Sequence, residues 1–154
     1  MCEPRVGNER SVGVCCESIT QPRIVVPGVQ LIGRVFAQVI FPELERIFRA
    51  LRGARERIAR GWTQGATARV EAWGLVVVPQ SPQATCWCAV GALESATRYL
   101  SDAGDALMAL RKVLPRGKWG RDVSHFNDAP STTQADVLAL FDRAIAAEEA
   151  RAAR

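Results

Sequence analysis

Apolar side chains return at spacings of three and four along residues 43–60, where Leu44, Ile47, Phe48, Leu51, Ala54 and Ile58 share one helical face. Arg46, Arg49, Arg57 and Arg60 fall on the opposite side, with Arg52 and Arg55 at its margins. The segment is predicted as an amphipathic helix that buries one stripe and solvates the other, its basic face partly neutralised by Glu43, Glu45 and Glu56. Pro42 suits a first helical turn, and Gly61 suits the stop.

Upstream, residues 1–28 carry no apolar period and are punctuated by Pro22, Pro27 and Gly28. Residues 29–41 are apolar apart from Gln30, Arg34 and Gln38, a pattern that suits a buried helix or a strand equally. The run is shorter than the roughly 20 apolar residues of a membrane-spanning helix, and it begins too late to read as a secretory signal. The chain thus divides into an N-terminal extension over 1–42, partly irregular, and a compact helical domain over 43–154.

Residues 70–78 include Gly74-Leu75-Val76-Val77-Val78 and close on Pro79, which predicts one short β-hairpin around 68–79. Ser81 and Pro82 offer an N-cap and a first-turn proline for a helix over 83–100, with Cys86, Ala89, Val90, Leu93, Ala96 and Leu100 inward. Ser101-Asp102 restarts a helix through Leu114, where Pro115 stops it. Residues 115–131 read as a loop. Both Ser131-x-x-Gln134 and Thr133-x-x-Asp136 match a capping box for a last helix, with Val137, Leu138, Phe141, Ala144 and Ile145 buried and a polar tail fraying from Glu148. The fold class is therefore mainly α: a small helical domain with one short hairpin.

Composition changes this picture little. Of 154 residues, 48% are hydrophobic and 23% charged, the balance of a globular chain rather than a disordered one. The net charge of +4 arises wholly within residues 1–60, which hold 10 Arg against 6 Asp and Glu, while the remainder balances at 10 and 10. A surplus this small does not by itself imply nucleic acid. Only Lys112 and Lys118 are lysines, and this Arg- and Ala-rich usage is associated with bacterial and phage genomes. Five cysteines, Cys2, Cys15, Cys16, Cys86 and Cys88, are an odd number with tight spacings, unlike a secreted disulfide framework. Reduced thiols and a cytoplasmic location are expected.

Three constellations could carry chemistry. Gln64, Cys88 (or Cys86), His125 and Asn127 follow the order of an oxyanion donor, nucleophile, base and orienting group in papain-like thiol hydrolases. Helical spacing nevertheless places Cys86 on a core face, where a free cysteine acts as a small hydrophobe. Arg111, Lys112, Arg116, Lys118 and Arg121 surround Trp119, a set able to hold phosphates and stack a base, or simply to solvate a helix end. Asn127 and Asp128 can fix an Asx-type turn into the last helix, with Asp128 as a general acid–base the sharper alternative. Cys86-x-Cys88 lacks the spacing and partners of a zinc site, and no Gly-rich phosphate loop, serine elbow or His-Glu-x-x-His motif occurs, so neither metal nor cofactor is expected.

Trp62-Thr63-Gln64-Gly65-Ala66, Cys86-Trp87-Cys88-Ala89-Val90-Gly91-Ala92-Leu93, Phe126-Asn127-Asp128-Ala129-Pro130 and the stretch from Thr132 to Ile145 together resemble an uncharacterised family of small bacterial and phage proteins, a domain of unknown function, over about residues 44–147. The resemblance implies one domain and no activity, and it points to Trp62, Gln64, Trp87, Cys88, Asn127 and Asp128 as site residues. The expected function is a non-enzymatic binding or accessory protein that engages a protein or a nucleic acid. Its expected binding residues are Trp62, Gln64, Arg116, Lys118, Trp119, Arg121, Asn127 and Asp128. One alternative is a small thiol-dependent hydrolase or transferase using Cys88 or Cys86 with His125 and Asp128. The other is a homo-oligomeric structural protein assembled through residues 29–41.

Overall fold

The computed structural model describes residues 42–117 and 122–154. The apolar segment 29–41, the extension before it, and Lys118, Trp119 and Arg121 lie outside the described residues. In chain order the elements are helix α1 (Pro42–Arg60), strands β1 (Ala68–Arg69) and β2 (Cys86–Trp87), and helices α2 (Ala89–Ala96), α3 (Leu100–Val113), α4 (Val123–Asn127) and α5 (Gln134–Ala152). The domain is mainly α, as the periodicity predicts.

Helix α1 is the axis of the packing. Ala50, Leu51, Ala54 and Ile58 are buried along it, and α2, α3 and α5 all pack on this one helix. Helix α3 adds Ala103, Ala106, Ala109 and Leu110, and α5 adds Val137, Leu140, Phe141 and Ala144. These form one continuous core with Trp87, Ala89, Leu93, Val123 and Phe126. Many of the buried positions are alanine, so the helices approach closely; Gly53 of α1 lies against Ala96 of α2. Acidic Glu43 and Glu45 open α1 and basic Arg57 and Arg60 close it, in the sense the helix dipole favours.

The predicted helix over 83–100 is shorter and starts later. Residues 86–87 form a strand, antiparallel to β1 with Ala68 opposite Trp87 and Arg69 opposite Cys86. Cys86 therefore lies on an extended segment and not in the core stripe of a helix. The hairpin expected within 68–79 exists only as a bridge between Arg69 and Val76, supported by Val70 N–H to Leu75 O and Val77 N–H to Ala68 O, each within 3.1 Å. The lasting partner of β1 comes from 17 or more residues downstream, a pairing that local pattern does not encode.

Four further expectations are corrected. The 115–131 loop contains α4, capped by Asp122, whose carboxylate accepts the Ser124 and His125 N–H groups at 2.8 and 3.2 Å. Of the two capping-box readings, Thr133 with Asp136 is the one formed; Gln134 instead donates to the Ile58 carbonyl at the end of α1. The tail does not fray from Glu148. Helix α5 continues to Ala152, and Glu148 is buried, paired with Lys112 at 3.6 Å and Arg151 at 3.2 Å. Nor is the basic side of α1 merely solvated. Arg52 pairs with Glu149, Arg55 makes a two-point contact with Asp142, and Arg57 donates to Ser95.

Gly91 fixes how α2 meets the ribbon. A Cβ there would overlap the Thr67 carbonyl oxygen, whereas one at Gly104 in α3 would meet nothing. Gly91→Ala is expected to destabilise by about 2 kcal/mol or more, because backbone on both sides must move. Gly104→Ala is expected to stabilise by about 0.5–1 kcal/mol through helix propensity alone. Urea denaturation midpoints of the two variants check both signs.

Candidate functional site

Asn127, the last residue of α4, is wholly buried. Its Oδ1 accepts the Trp62 indole Nε1–H at 2.9 Å and the Ala89 backbone N–H at 3.1 Å. Its Nδ2 donates to the Thr63 carbonyl at 3.1 Å and to Asp128 Oδ1 at 2.8 Å. The amide thus makes the four bonds its chemistry allows. Around it, Gln64 Nε2 donates to the carbonyls of Asn127 and Ala129, both at 2.9 Å, and the Gly65 N–H donates to Asp128 Oδ1 at 2.9 Å. Gly65 sits at φ 69°, which aims that N–H back toward the carboxylate without the strain a side chain would bring.

The backbone joins the same knot. Thr63 N–H donates to the Trp87 carbonyl and Trp87 N–H to the Gly61 carbonyl, so residues 61–63 run parallel to β2. Cys88 N–H donates to Thr67 O. Three distant segments, 62–65, 87–89 and 127–129, are held together by polar groups. The local Asx turn expected of Asn127 and Asp128 is not what their side chains make. Both reach across to the 62–65 segment, and Asp122 does the local capping instead.

Cys88 is the N-cap of α2, and its Sγ accepts the Gly91 N–H at 3.3 Å. Two influences oppose each other there. The Gly91 and Val90 amides favour a thiolate, but burial outweighs them, and the charges of Asp128 and Glu94 add to it, so the thiol's pKa is pushed up. His125 lies exposed on α4, its Nδ1 3.8 Å from Asp122 Oδ2, and no hydrogen bond joins it to Cys88. Cys86 is half-buried beside Thr85. Among the described residues, no three His, Cys, Asp or Glu side chains converge as a metal-ligand group.

The predicted site residues therefore separate. Trp62, Gln64, Asn127 and Asp128 come together with Cys88 at the margin, while His125 and Arg116 stand exposed outside the knot. Lys118, Trp119 and Arg121 lie outside the described residues. Two features escaped the sequence reading. The first is Thr63, buried with its Oγ1 on the Ala72 carbonyl at 2.8 Å. The second is an ordered loop over 70–78 that shows Trp73, Leu75, Val76 and Val78 to solvent. The signal for the loop was present: a tryptophan and a run of branched residues with no alternation, which a half-buried strand requires.

The architecture defines a small, mainly α domain of five helices and one two-stranded ribbon among the described residues, in which a buried asparagine at the end of α4 joins the segment after α1 to the start of α2. The chain belongs to the family of unknown function DUF6197, whose model matches residues 43–147, a stretch that includes every segment of the knot. No match was found among curated proteins or among solved structures. No helix among the described residues is long and apolar enough to cross a membrane.

Truncating Asn127 to alanine strands the Trp62 and Ala89 N–H groups and the Thr63 carbonyl together. The expected loss is about 3 kcal/mol or more, since each buried orphan costs about 1–3 kcal/mol, and it is read from the urea midpoint. For Cys88, alkylation followed by peptide mapping from about pH 6 to about 9 is expected to find the thiol protected in the native protein, with Cys86 modified before it. Rapid modification of Cys88 below neutral pH would instead reveal a thiolate.

Proposed function

We propose that this chain is a non-enzymatic binding protein that engages a protein partner through the 70–78 loop. The carrying observation is the exposure of that loop's apolar residues on a rigid frame: Trp73 is 81% exposed, Leu75 71%, and Val76 and Val78 more than half. Exposed apolar side chains grouped in this way are the signature of an interaction surface, and tryptophan is among the residues most enriched at binding hot spots.

The loop is pre-organised. Gly74 N–H donates to Glu71 O, Arg69 donates to Gly74 O at 2.8 Å, Thr63 holds the Ala72 carbonyl and Thr85 holds the Val70 carbonyl. A partner would meet residues already placed, which lowers the entropy cost of association. A protein fits this surface better than nucleic acid does. Glu71 is exposed on the loop, and Arg69 is half-buried with its Nη1 turned to the Gly74 carbonyl, so the loop presents an exposed carboxylate and apolar side chains, which repel or ignore phosphates. The same reading takes the Asn127 knot as the frame that holds the loop, and the thiol-dependent alternative is weakened by the burial of Cys88 and the outlying position of His125.

The test places a photo-crosslinking amino acid at Trp73 in cells and identifies the adduct. The expected result is one discrete heterologous protein, whose association with the purified chain falls at least tenfold on Leu75→Asp, an exposed change that leaves the fold intact. Diffuse labelling overturns the proposal. So does an adduct made only with a second copy of this chain, which would favour the homo-oligomer.

A further inference from the structure

A concave site lies between α1 and the connection from α2 to α3, lined by Arg46, Arg49, Arg98, Tyr99 and Asp102, with a volume of about 260 Å³. Its floor is Ala50 and Ala96, small residues that let α1 and α2 close up below it. The connection is extended at Thr97 (φ −116°, ψ 153°) and Tyr99 (φ −120°, ψ 136°), which carries Arg98 across from the two α1 arginines.

The arginines of α1 fall into two groups. Arg52, Arg55 and Arg60 have carboxylate partners and Arg57 has the Ser95 hydroxyl. Among the described residues, Arg46, Arg49 and Arg98 have no ion-pair partner within 4.0 Å, although Asp102 shares their recess. Three guanidinium groups against one carboxylate leave a surplus of two positive charges in one small concavity. Helix α3, 14 residues long, opens at the same place, and its N-cap Tyr99 supplies no side-chain bond to the first amides. Guanidinium forks and free helix amides are both complementary to a tetrahedral oxyanion. Tyr99, 67% exposed, stands beside them as an aromatic wall.

We propose that this recess binds a phosphate monoester, its dianion held by Arg46, Arg49 and Arg98 and its organic part lying on the Tyr99 ring. The charges match, since a monoester carries close to two negative charges at neutral pH. The volume lies below the roughly 300–1,000 Å³ of sites that enclose drug-sized ligands, so the recess takes the phosphate end and leaves the remainder outside on the aromatic face. A planar base is the organic part that uses this face most fully, which makes a nucleoside 5′-monophosphate the strongest form of the ligand. The site is independent of the 70–78 loop.

The test is an NMR titration of the full-length protein at constant ionic strength with inorganic phosphate, a pentose 5-phosphate, a nucleoside 5′-monophosphate and sulfate. The expected result is saturable shifts at the Arg46, Arg49 and Arg98 side chains and at the α3 N-terminal amides, in the order nucleoside monophosphate, sugar phosphate, inorganic phosphate. Arg49→Gln is expected to weaken all three by about tenfold or more. Tyr99→Ala is expected to weaken only the nucleoside monophosphate, by roughly fivefold or more. Both residues are exposed, so circular dichroism should show the variants folded. No saturable shift by about 10 mM phosphate, where even a millimolar site would be filled, overturns the proposal. Equal binding of sulfate and the phosphate esters, or an Arg49→Gln variant that binds as the native protein does, overturns it as well.

Discussion

The buried amide of Asn127 is the constraint on which the arrangement depends. It sits at the end of a five-residue helix too short to be stable by itself, yet it touches the indole after α1, the first amide of α2 and the turn that leads into β1. A primary amide suits the position because it offers two acceptor and two donor functions in one plane, and the surrounding backbone supplies the matching groups. Buried polar groups cost heavily when unpaired, so a fully paired network admits one arrangement of the three segments and penalises the rest. Gln64 and Asp128 extend the same logic to the edge of the knot, where Asp128 meets solvent.

Apolar packing and charge then divide the work along α1. One face goes into the alanine-rich core, and its flanks reach α5 through Arg52 and Arg55 and reach α2 through Arg57. The Arg55 contact holds the Asp142 carboxyl below its usual pKa, chiefly through the hydrogen bond between them. Exposed pairs of this kind add little stability each, but they orient long helices whose contacts are otherwise non-directional. What they leave over defines the surface. Two arginines of α1 remain unpaired among the described residues and meet a third across the recess below Tyr99. The ribbon meanwhile carries the 70–78 loop outward, with Val77 packed against the core and Val76 and Val78 exposed.

The cysteines show how location changes chemistry. From spacing alone, Cys86 belonged to a helical core stripe and Cys88 to the same helix over 83–100. Cys86 instead pairs in a strand, and Cys88 caps α2 with its sulfur, a role usually filled by an oxygen. That position normally favours a thiolate, but the protein core around it removes the water a charge would need. The order Gln64, Cys88, His125, Asn127 along the chain therefore does not become a relay in space, because Asn127 faces inward to Trp62 while His125 faces solvent on the same short helix.

Local information in the sequence was enough for α1, α3 and α5 and for the class of fold, and it narrowed the last helix's start to two capping boxes, because helical periodicity and capping act over three or four residues. It was enough, with the family resemblance, to single out Trp62, Gln64, Asn127 and Asp128, though not to say that their partners are one another. Only the tertiary structure decided that residues 86–87 leave the helix to pair with 68–69, that α4 forms inside an apparent loop, and that Glu148 is buried against Lys112 and Arg151. It also decided which arginines are spent on neighbours and which are left over. The physical reason is common to all of these. Strand pairing, buried polar satisfaction and ion pairing are contacts between residues tens of positions apart, and no pattern within a single segment records the identity of the group that will face it.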